Sequence, residues 1–324
     1  MKQRNQCIDI LKGIGISFVL VGHSLGGFIG NVAYSFHIPL FFIVSGLFLP
    51  EFTKQNGKTI GDSIKKDYKR LLVPALFSMA LIFLLEPAVE YAYTGKCHIP
   101  VENIWTAKPE KIGGNLILFG NLWFLFVLFF SKLFFYSLRT HLSDRHLLAT
   151  CVVLGCFAVY FGQKINPPFM VLQAVSALPF VSMGYYVKKN GGVDGGGIPK
   201  WYGFLIFIWI IYLFQGKMNL PIMQYKWFYV PELITASAGT LFWYFVSKCI
   251  VKTKYISKIF TFLGTYSLIL ICAPTIETYC FNFSEMVPQI PFRSIVVIFC
   301  KVCWCSICLW ACLNVKFLRS IFVP

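Results

Sequence analysis

Residues 9–23 read Asp9-Ile-Leu-Lys12-Gly-Ile-Gly-Ile-Ser-Phe-Val-Leu-Val-Gly-His23. After a short glycine-rich connection, residues 36–46 read Phe36-His37-Ile-Pro-Leu-Phe-Phe-Ile-Val-Ser45-Gly46. Both stretches are apolar enough to enter a bilayer, yet together they carry an acid, a lysine and two histidines. Ionisable groups at membrane depth cost a few kcal/mol each on insertion scales, so they persist mostly where they act. On a helix, Lys12 and His23 are separated by eleven residues, which returns them to within about 20° of the same face with a rise of ~16 Å. That is about half of a ~30 Å hydrocarbon core. Asp9 falls within about 40° of His23 on this face. One polar stripe thus runs from a membrane surface into the bilayer interior.

The rest of the chain fits that reading. It is 57% hydrophobic and only 13% charged, with a mean hydropathy of +0.68, which excludes a soluble domain of this length. The formal charge of +16 would suggest nucleic acid in a soluble chain. Here no basic stripe with interleaved aromatics supports that, and nucleic acid is not an expected partner. Basic residues that collect in cytoplasmic loops explain the charge better. Asp9 and Lys12 interrupt the first apolar run and no small-residue cleavage site follows, so it reads as a retained helix rather than a signal peptide.

Apolar runs place ten expected transmembrane helices near 10–28, 34–50, 71–93, 115–138, 147–162, 168–187, 201–215, 229–248, 261–280 and 294–313. With the N-terminus inside, 19 basic residues fall in cytoplasmic segments and 7 in outer ones. This asymmetry places both termini in the cytoplasm. The expected fold is an all-α polytopic integral membrane protein, one membrane-embedded domain over 1–324 with no appended soluble domain. Loop 51–70 is the most basic segment. Ile60, Ile64 and Tyr68 recur every four residues, predicting a short interfacial helix. Its charge serves topology and anionic lipid headgroups, or attracts a polyanion.

The cysteines invite a metal reading that their context opposes. Five of the 12 lie in Cys300-x2-Cys303-x-Cys305-x2-Cys308-x3-Cys312. Zinc needs ligands converging from a folded knuckle, whereas these spread around an apolar helix, and no metal is expected. The run Asn190-Gly-Gly-Val-Asp-Gly-Gly-Gly197 is a flexible turn, not a phosphate loop, because no strand precedes it and no Gly-Lys-Ser/Thr ends it. The outer loop 94–114 is polar and Pro-containing, and is the longest outer loop.

The opening motifs resemble the acyltransferase 3 family: Asp-x-x-Lys/Arg-Gly, a histidine eleven residues after the basic residue, and Phe-His-x-Pro-Leu-Phe-Phe-x-x-Ser-Gly on the next helix. The lysine form is similar to the subgroup named for fucose 4-O-acetylase. Further likenesses are Lys69-Arg70-Leu-Leu-Val-Pro74, Asn121-Leu-Trp123-Phe124, Leu178-Pro179-Phe180-x3-Gly184 and Leu263-Gly264-x-x-Ser267. The chain departs from the pattern late: where relatives often carry a histidine it has Cys272-Ala273-Pro274, with Glu277 nearby. The resemblance implies a membrane enzyme, in a bacterial cytoplasmic (inner) membrane, that moves acetyl from acetyl-CoA to a hydroxyl of a sugar in a surface glycan or glycolipid precursor. Its partners would be acetyl-CoA, a carbohydrate acceptor and membrane lipids.

Acyl transfer from a thioester to an alcohol needs a base, oxyanion stabilisation and positioning of both substrates. His23 is the expected general base, because imidazole titrates near neutrality. His37 orients His23, contacts the acceptor, or is structural. Lys12 suits a CoA phosphate with Asp9 as its partner, unless the two merely neutralise each other. Lys69 and Arg70 are further candidates for CoA binding. Ser45 and Gly46 permit close helix approach and shape a pocket, and Trp123 is either a pocket wall or an interfacial anchor. The alternative is a transporter or flippase for a glycan or small anion. Transporters usually show internal repeats with paired broken helices, and the Asp9–Gly46 pattern has no second copy.

Overall fold

The computed structural model describes residues 5–22, 27–50, 59–95, 120–165, 167–191, 201–214, 218–225, 228–289 and 292–323. His23, residues 51–58, nearly all of the outer loop 94–114, and most of the glycine-rich turn lie outside the described residues. The fold is all-α: the described residues form helices with no strand. Six described helices are long and apolar enough to cross a bilayer, and the count is seven if one broken pair is a single span. The protein is therefore an integral membrane protein.

The chain's contacts fall into two compact units. The first holds residues 1–60, 130–165 and 171–267. In it, α1 (Gln6–Gly22) and α2 (Gly27–Leu47) pack on each other. Helices α6 (Asp144–Gly162), α7 (Val171–Ser176), α8 (Leu178–Lys189), α9 (Trp201–Leu213), α10 (Tyr229–Val251) and α11 (Lys254–Thr265) belong to the same unit. Most of α5 (Trp123–His141) also belongs here. The second unit holds α3 (Ile60–Asp67) from Gly61, α4 (Val73–Thr94), the first turns of α5, and α12 (Ser267–Cys280) from Leu268. It closes with α13 (Phe283–Met286), α14 (Arg293–Asn314) and α15 (Lys316–Phe322).

Helix α1 is the axis of the first unit, touching α2, α10 and α11. Lipid tails are as apolar as side chains, so van der Waals contact and small residues, rather than hydrophobic burial, bring helices together. Glycines make the two tightest crossings. A Cβ on Gly13 would sit 2.0 Å from the Phe260 carbonyl oxygen, and one on Gly264 1.8 Å from that of Asp9, so α1 and α11 meet backbone to backbone. At the α2–α8 crossing, a Cβ on Gly46 would lie 2.1 Å from the Val181 oxygen and one on Gly184 1.9 Å from that of Ile43. At the far end of α8, Asp144 binds both Arg139 (3.2 Å) and Lys189, tying α5, α6 and α8 together. Arg139 also donates from Nε to the Tyr185 hydroxyl at 3.0 Å.

Three expected elements come out differently. The basic segment is not a separate interfacial helix: helix runs continuously over Ile60–Ala92. Tyr68–Leu72 forms a π-turn in which the Val73 amide donates to the Tyr68 carbonyl. Pro74 follows and has no amide to continue the regular ladder, and a π-turn is one way a helix absorbs that loss. Ser63 and Asp67 are the buried face of α3, while Tyr68 is 45% exposed. The sixth expected span, 168–187, breaks at Ala177 between α7 and α8, with Pro179 in the first turn of the second piece. The ninth, 261–280, breaks at Tyr266 between α11 and α12. Pro179 and Gly184 at membrane depth signal an irregular helix near the first break, whereas a smooth apolar profile hides the second.

In the second unit, α15 packs its aromatics on α4, with Phe77 meeting Phe317 and Phe322 at ring distances of 5.8 and 5.9 Å. Helix α14 is buried at few positions, and Ile295, Phe299, Ile307 and Trp310 are exposed, as a lipid-facing surface requires.

Candidate active site

Asp9 and Lys12 lie one turn apart on α1 and form an ion pair of 2.8 Å. Asp9 is 4% exposed, and the Lys12 side chain keeps 22% of its surface. Because Gly264 presses on its carbonyl, Asp9 is held by backbone contact as well as by charge. Near the start of α1, the Cys7 thiol and the Ser247 hydroxyl of α10 lie 2.9 Å apart. The described part of α1 ends at Gly22, the residue before His23.

His37 is 3% exposed on α2. Its Nδ1 lies 2.5 Å from the Ala33 carbonyl oxygen. A carbonyl only accepts, so Nδ1 carries a proton and the acceptor nitrogen of the neutral ring is Nε2. The Tyr34 ring meets the imidazole edge-on at 5.4 Å. Pro39, two residues on, donates nothing to the Ser35 carbonyl, which loosens the ladder beside the histidine.

Around this helix the structure gathers residues with no spacing signal in the sequence. Trp209 of α9 donates from Nε1 to Ser35 Oγ at 2.9 Å, and Ser35 in turn donates to the Val32 carbonyl at 2.8 Å. Gly239 leaves room for that indole, since a Cβ there would come 2.5 Å from Nε1. Phe36 stacks on Trp243 of α10 at 5.2 Å, and Phe18 of α1 closes the group at 5.2 and 5.0 Å from the two rings. Aromatic pairs of this kind contribute about 0.5–1.5 kcal/mol each beyond area burial. They lock α1, α2 and α10 in one register.

Ser45 is partly buried, and Gly46 sits at the α2–α8 crossing. Just past the end of α2, Lys188 donates to the Leu49 carbonyl at 2.5 Å, a cation placed where helix-end carbonyls need donors. Lys69, Arg70 and Trp123 belong to the second unit. Lys69 and Arg70 are exposed on the π-turn. Trp123 is half-buried at the first residue of α5, edge-on to Phe124 at 6.1 Å. The 3-10 turn before it, Gly120–Leu122, is fastened by the Gly120 amide donating to the Tyr279 hydroxyl at 3.1 Å.

The late departure from the motif, Cys272-Ala273-Pro274, lies on α12, three residues before Glu277. Glu277 is fully buried on α12. Its Oε1 accepts from the Phe283 amide at 2.8 Å, and its Oε2 lies 3.6 Å from Lys301 Nζ of α14. An acid and a lysine in separate apolar runs are expected to pair, but only the fold shows which partners meet. Breaking a buried pair by removing one member costs roughly 3–5 kcal/mol, because the other charge stays buried. Lys301→Met should therefore destabilise the protein strongly, and Lys301→Met with Glu277→Gln should recover part of the loss. Equal melting temperatures for wild type and Lys301→Met would show the pair to be dispensable.

Among the described residues, no three histidine, cysteine, aspartate or glutamate side chains are grouped as a metal site would need. A family model described as an acyltransferase domain matches residues 5–311. The chain belongs to the acyltransferase 3 family. It is thus a membrane acyltransferase, and the family match covers both opening motifs. No curated protein and no solved structure matches the chain.

Proposed function

We propose that this acyltransferase moves acetyl from acetyl-CoA to a hydroxyl of a sugar in a surface glycan or glycolipid precursor, in a bacterial inner membrane. The observation that supports it most is the Asp9–Lys12 pair, its acid buried and its lysine partly exposed, on the helix that leads to His23, beside a helix carrying the oriented, buried His37. Loop charge places the start of α1 at the cytoplasmic surface, where acetyl-CoA is available. The CoA phosphates stay near water at Lys12, whose pairing with Asp9 fixes the ammonium in place. Lys65, Lys66, Lys69 and Arg70, all exposed, draw the polyanion toward this membrane face. The uncharged pantetheine arm then carries the thioester inward along α1 by the ~16 Å that separates Lys12 from His23 on a helix.

His23 takes the proton from the acceptor hydroxyl as its oxygen attacks the thioester carbonyl. The tetrahedral oxyanion collapses, the carbon–sulfur bond breaks, and the proton passes to the departing CoA thiolate. The products are an acetyl ester and free CoA. His37 contributes Nε2 toward the acceptor or toward His23, since Nδ1 is committed to Ala33.

Comparing O-acetyl content of surface glycans with and without the gene tests the reaction, and unchanged acetylation would refute it. In proteoliposomes, acetyl consumption supports the enzyme, whereas solute movement without it would support transport. A second prediction concerns the donor. A charge-assisted hydrogen bond is worth about 1.5–3 kcal/mol, so Lys12→Ala should weaken acetyl-CoA binding by about tenfold or more. Lys12→Arg should stay within a few-fold of wild type. Titration calorimetry giving equal affinity for Lys12→Ala would place the phosphates elsewhere.

A further inference from the structure

Helix α11 has two unlike faces. Ser257 and Gly264, seven residues apart, are its buried face, and Gly264 meets α1 at the Asp9 carbonyl. On the other side Lys254, Tyr255, Ile256, Lys258, Ile259 and Phe262 are exposed. We propose that this exposed face holds an anionic phospholipid of the cytoplasmic leaflet. Its phosphate sits at Lys254 and Lys258, and an acyl chain runs along Ile259 and Phe262. The inference needs only that the chain spans a membrane, and it stands whatever the donor and acceptor of the acyl group are.

The charge of this face is one-signed. Between Glu232 and Glu277 the chain carries Lys248, Lys252, Lys254 and Lys258 and no acid. That local excess marks the turn between α10 and α11 as cytoplasmic. Lys252, Lys254 and Lys258 are exposed, and no ion pair among the described residues involves any of them. The Lys254 ammonium lies 5.9 Å from the centre of the Tyr255 ring, so a tyrosine of the kind that collects at headgroup level stands beside the cation. Lysines at a membrane surface attract anionic headgroups, each adding to the attraction.

Helical geometry sorts the same residues by depth. Lys254, Lys258 and Phe262 follow one another at four-residue steps and fall within about 80° on the helix, and Tyr255 and Ile259 extend this side to about 140°. From Lys254 to Phe262 the helix rises ~12 Å, most of the ~15 Å of hydrocarbon in one leaflet. With Lys254 at the cytoplasmic surface, the two ammonium groups reach phosphate level on their flexible stems, while Ile259 and Phe262 stand at the depth of the tails. A free polyanion such as CoA would match the lysines and leave Ile259 and Phe262 without a partner. A neutral phospholipid would match the apolar side and leave the lysines without a counter-charge. Only a molecule with a phosphate-borne net charge above an acyl chain complements the whole face.

The test is photo-crosslinking of full-length protein carrying Phe262→p-benzoylphenylalanine. The protein is placed in nanodiscs of equimolar phosphatidylcholine and phosphatidylglycerol with identical acyl chains, irradiated, and its lipid adducts are identified by mass. Phosphatidylglycerol adducts should exceed phosphatidylcholine adducts by about fivefold or more. Adding Lys254→Gln and Lys258→Gln together should bring the two to within about twofold of parity, because the apolar contact remains and the charge is gone. Adding Lys254→Arg and Lys258→Arg instead should keep the enrichment. Equal adducts of the two lipids with both lysines present would show apolar contact alone and overturn the site. So would enrichment that survives both glutamines, or adducts to a second copy of the chain in place of lipid.

Discussion

His23→Ala should reduce acyl transfer by about 10²–10⁴-fold, the usual contribution of a positioned general base, while leaving the protein folded and able to bind acetyl-CoA. The residue lies eleven positions after Lys12, so on a continuing helix it returns to the face that Asp9 and Lys12 occupy, ~16 Å further along. A donor anchored by its phosphates at one end of that stripe would present its thioester at the other. His23→Gln, which keeps hydrogen-bonding capacity without a titrating group near neutrality, should be nearly as inactive. The assay is acetyl transfer by purified, monodisperse variant protein, with acetyl-CoA affinity measured in parallel. Near-normal turnover in either variant would sink the assignment of the base.

The largest structural effect is expected at Gly264. Its missing side chain lets the backbone of α11 reach the Asp9 carbonyl, where a Cβ would stand at 1.8 Å. Backbone cannot rotate away as a side-chain tip can. Gly264→Leu must therefore push α1 and α11 apart, at a cost of about 3 kcal/mol or more and a fall in melting temperature of roughly 5–10 °C. It also shifts Asp9 and its partner Lys12, so activity should drop more steeply than stability. Gly203→Leu is the control, because a Cβ there meets nothing within 4 Å. Wild-type stability and activity in Gly264→Leu would mean that the two helices do not depend on this contact.

Both predictions begin from motifs visible in the chain, but the sequence carries them to different depths. The spacing of Asp9, Lys12 and His23 contains its own geometry, because helical periodicity converts residue number into angle and rise. The glycines at 46, 184 and 264 stand out in the sequence only as parts of motifs. That Gly46 meets Gly184, and that Gly264 meets Asp9 and Gly13, depends on which helices cross. The break at Tyr266 was equally hidden, since hydropathy averages over a window and registers composition rather than backbone path, whereas Pro179 and Gly184 at membrane depth signal an irregular helix beside the break at Ala177.

By itself the sequence determined that this protein is a helical membrane protein with an ionisable stripe in its first apolar segment, because hydropathy and charge are properties of each residue wherever it lies. It also carried the motifs by which the acyltransferase 3 family is recognised. Only the tertiary structure decided that Lys301 pairs with Glu277, that Trp209 holds Ser35, and that Ala33 fixes the proton on His37 Nδ1. Two of these join residues far apart in the chain, and the third turns on a side-chain rotamer. Contacts between helices and choices of rotamer are set by packing, which no local pattern of residues encodes.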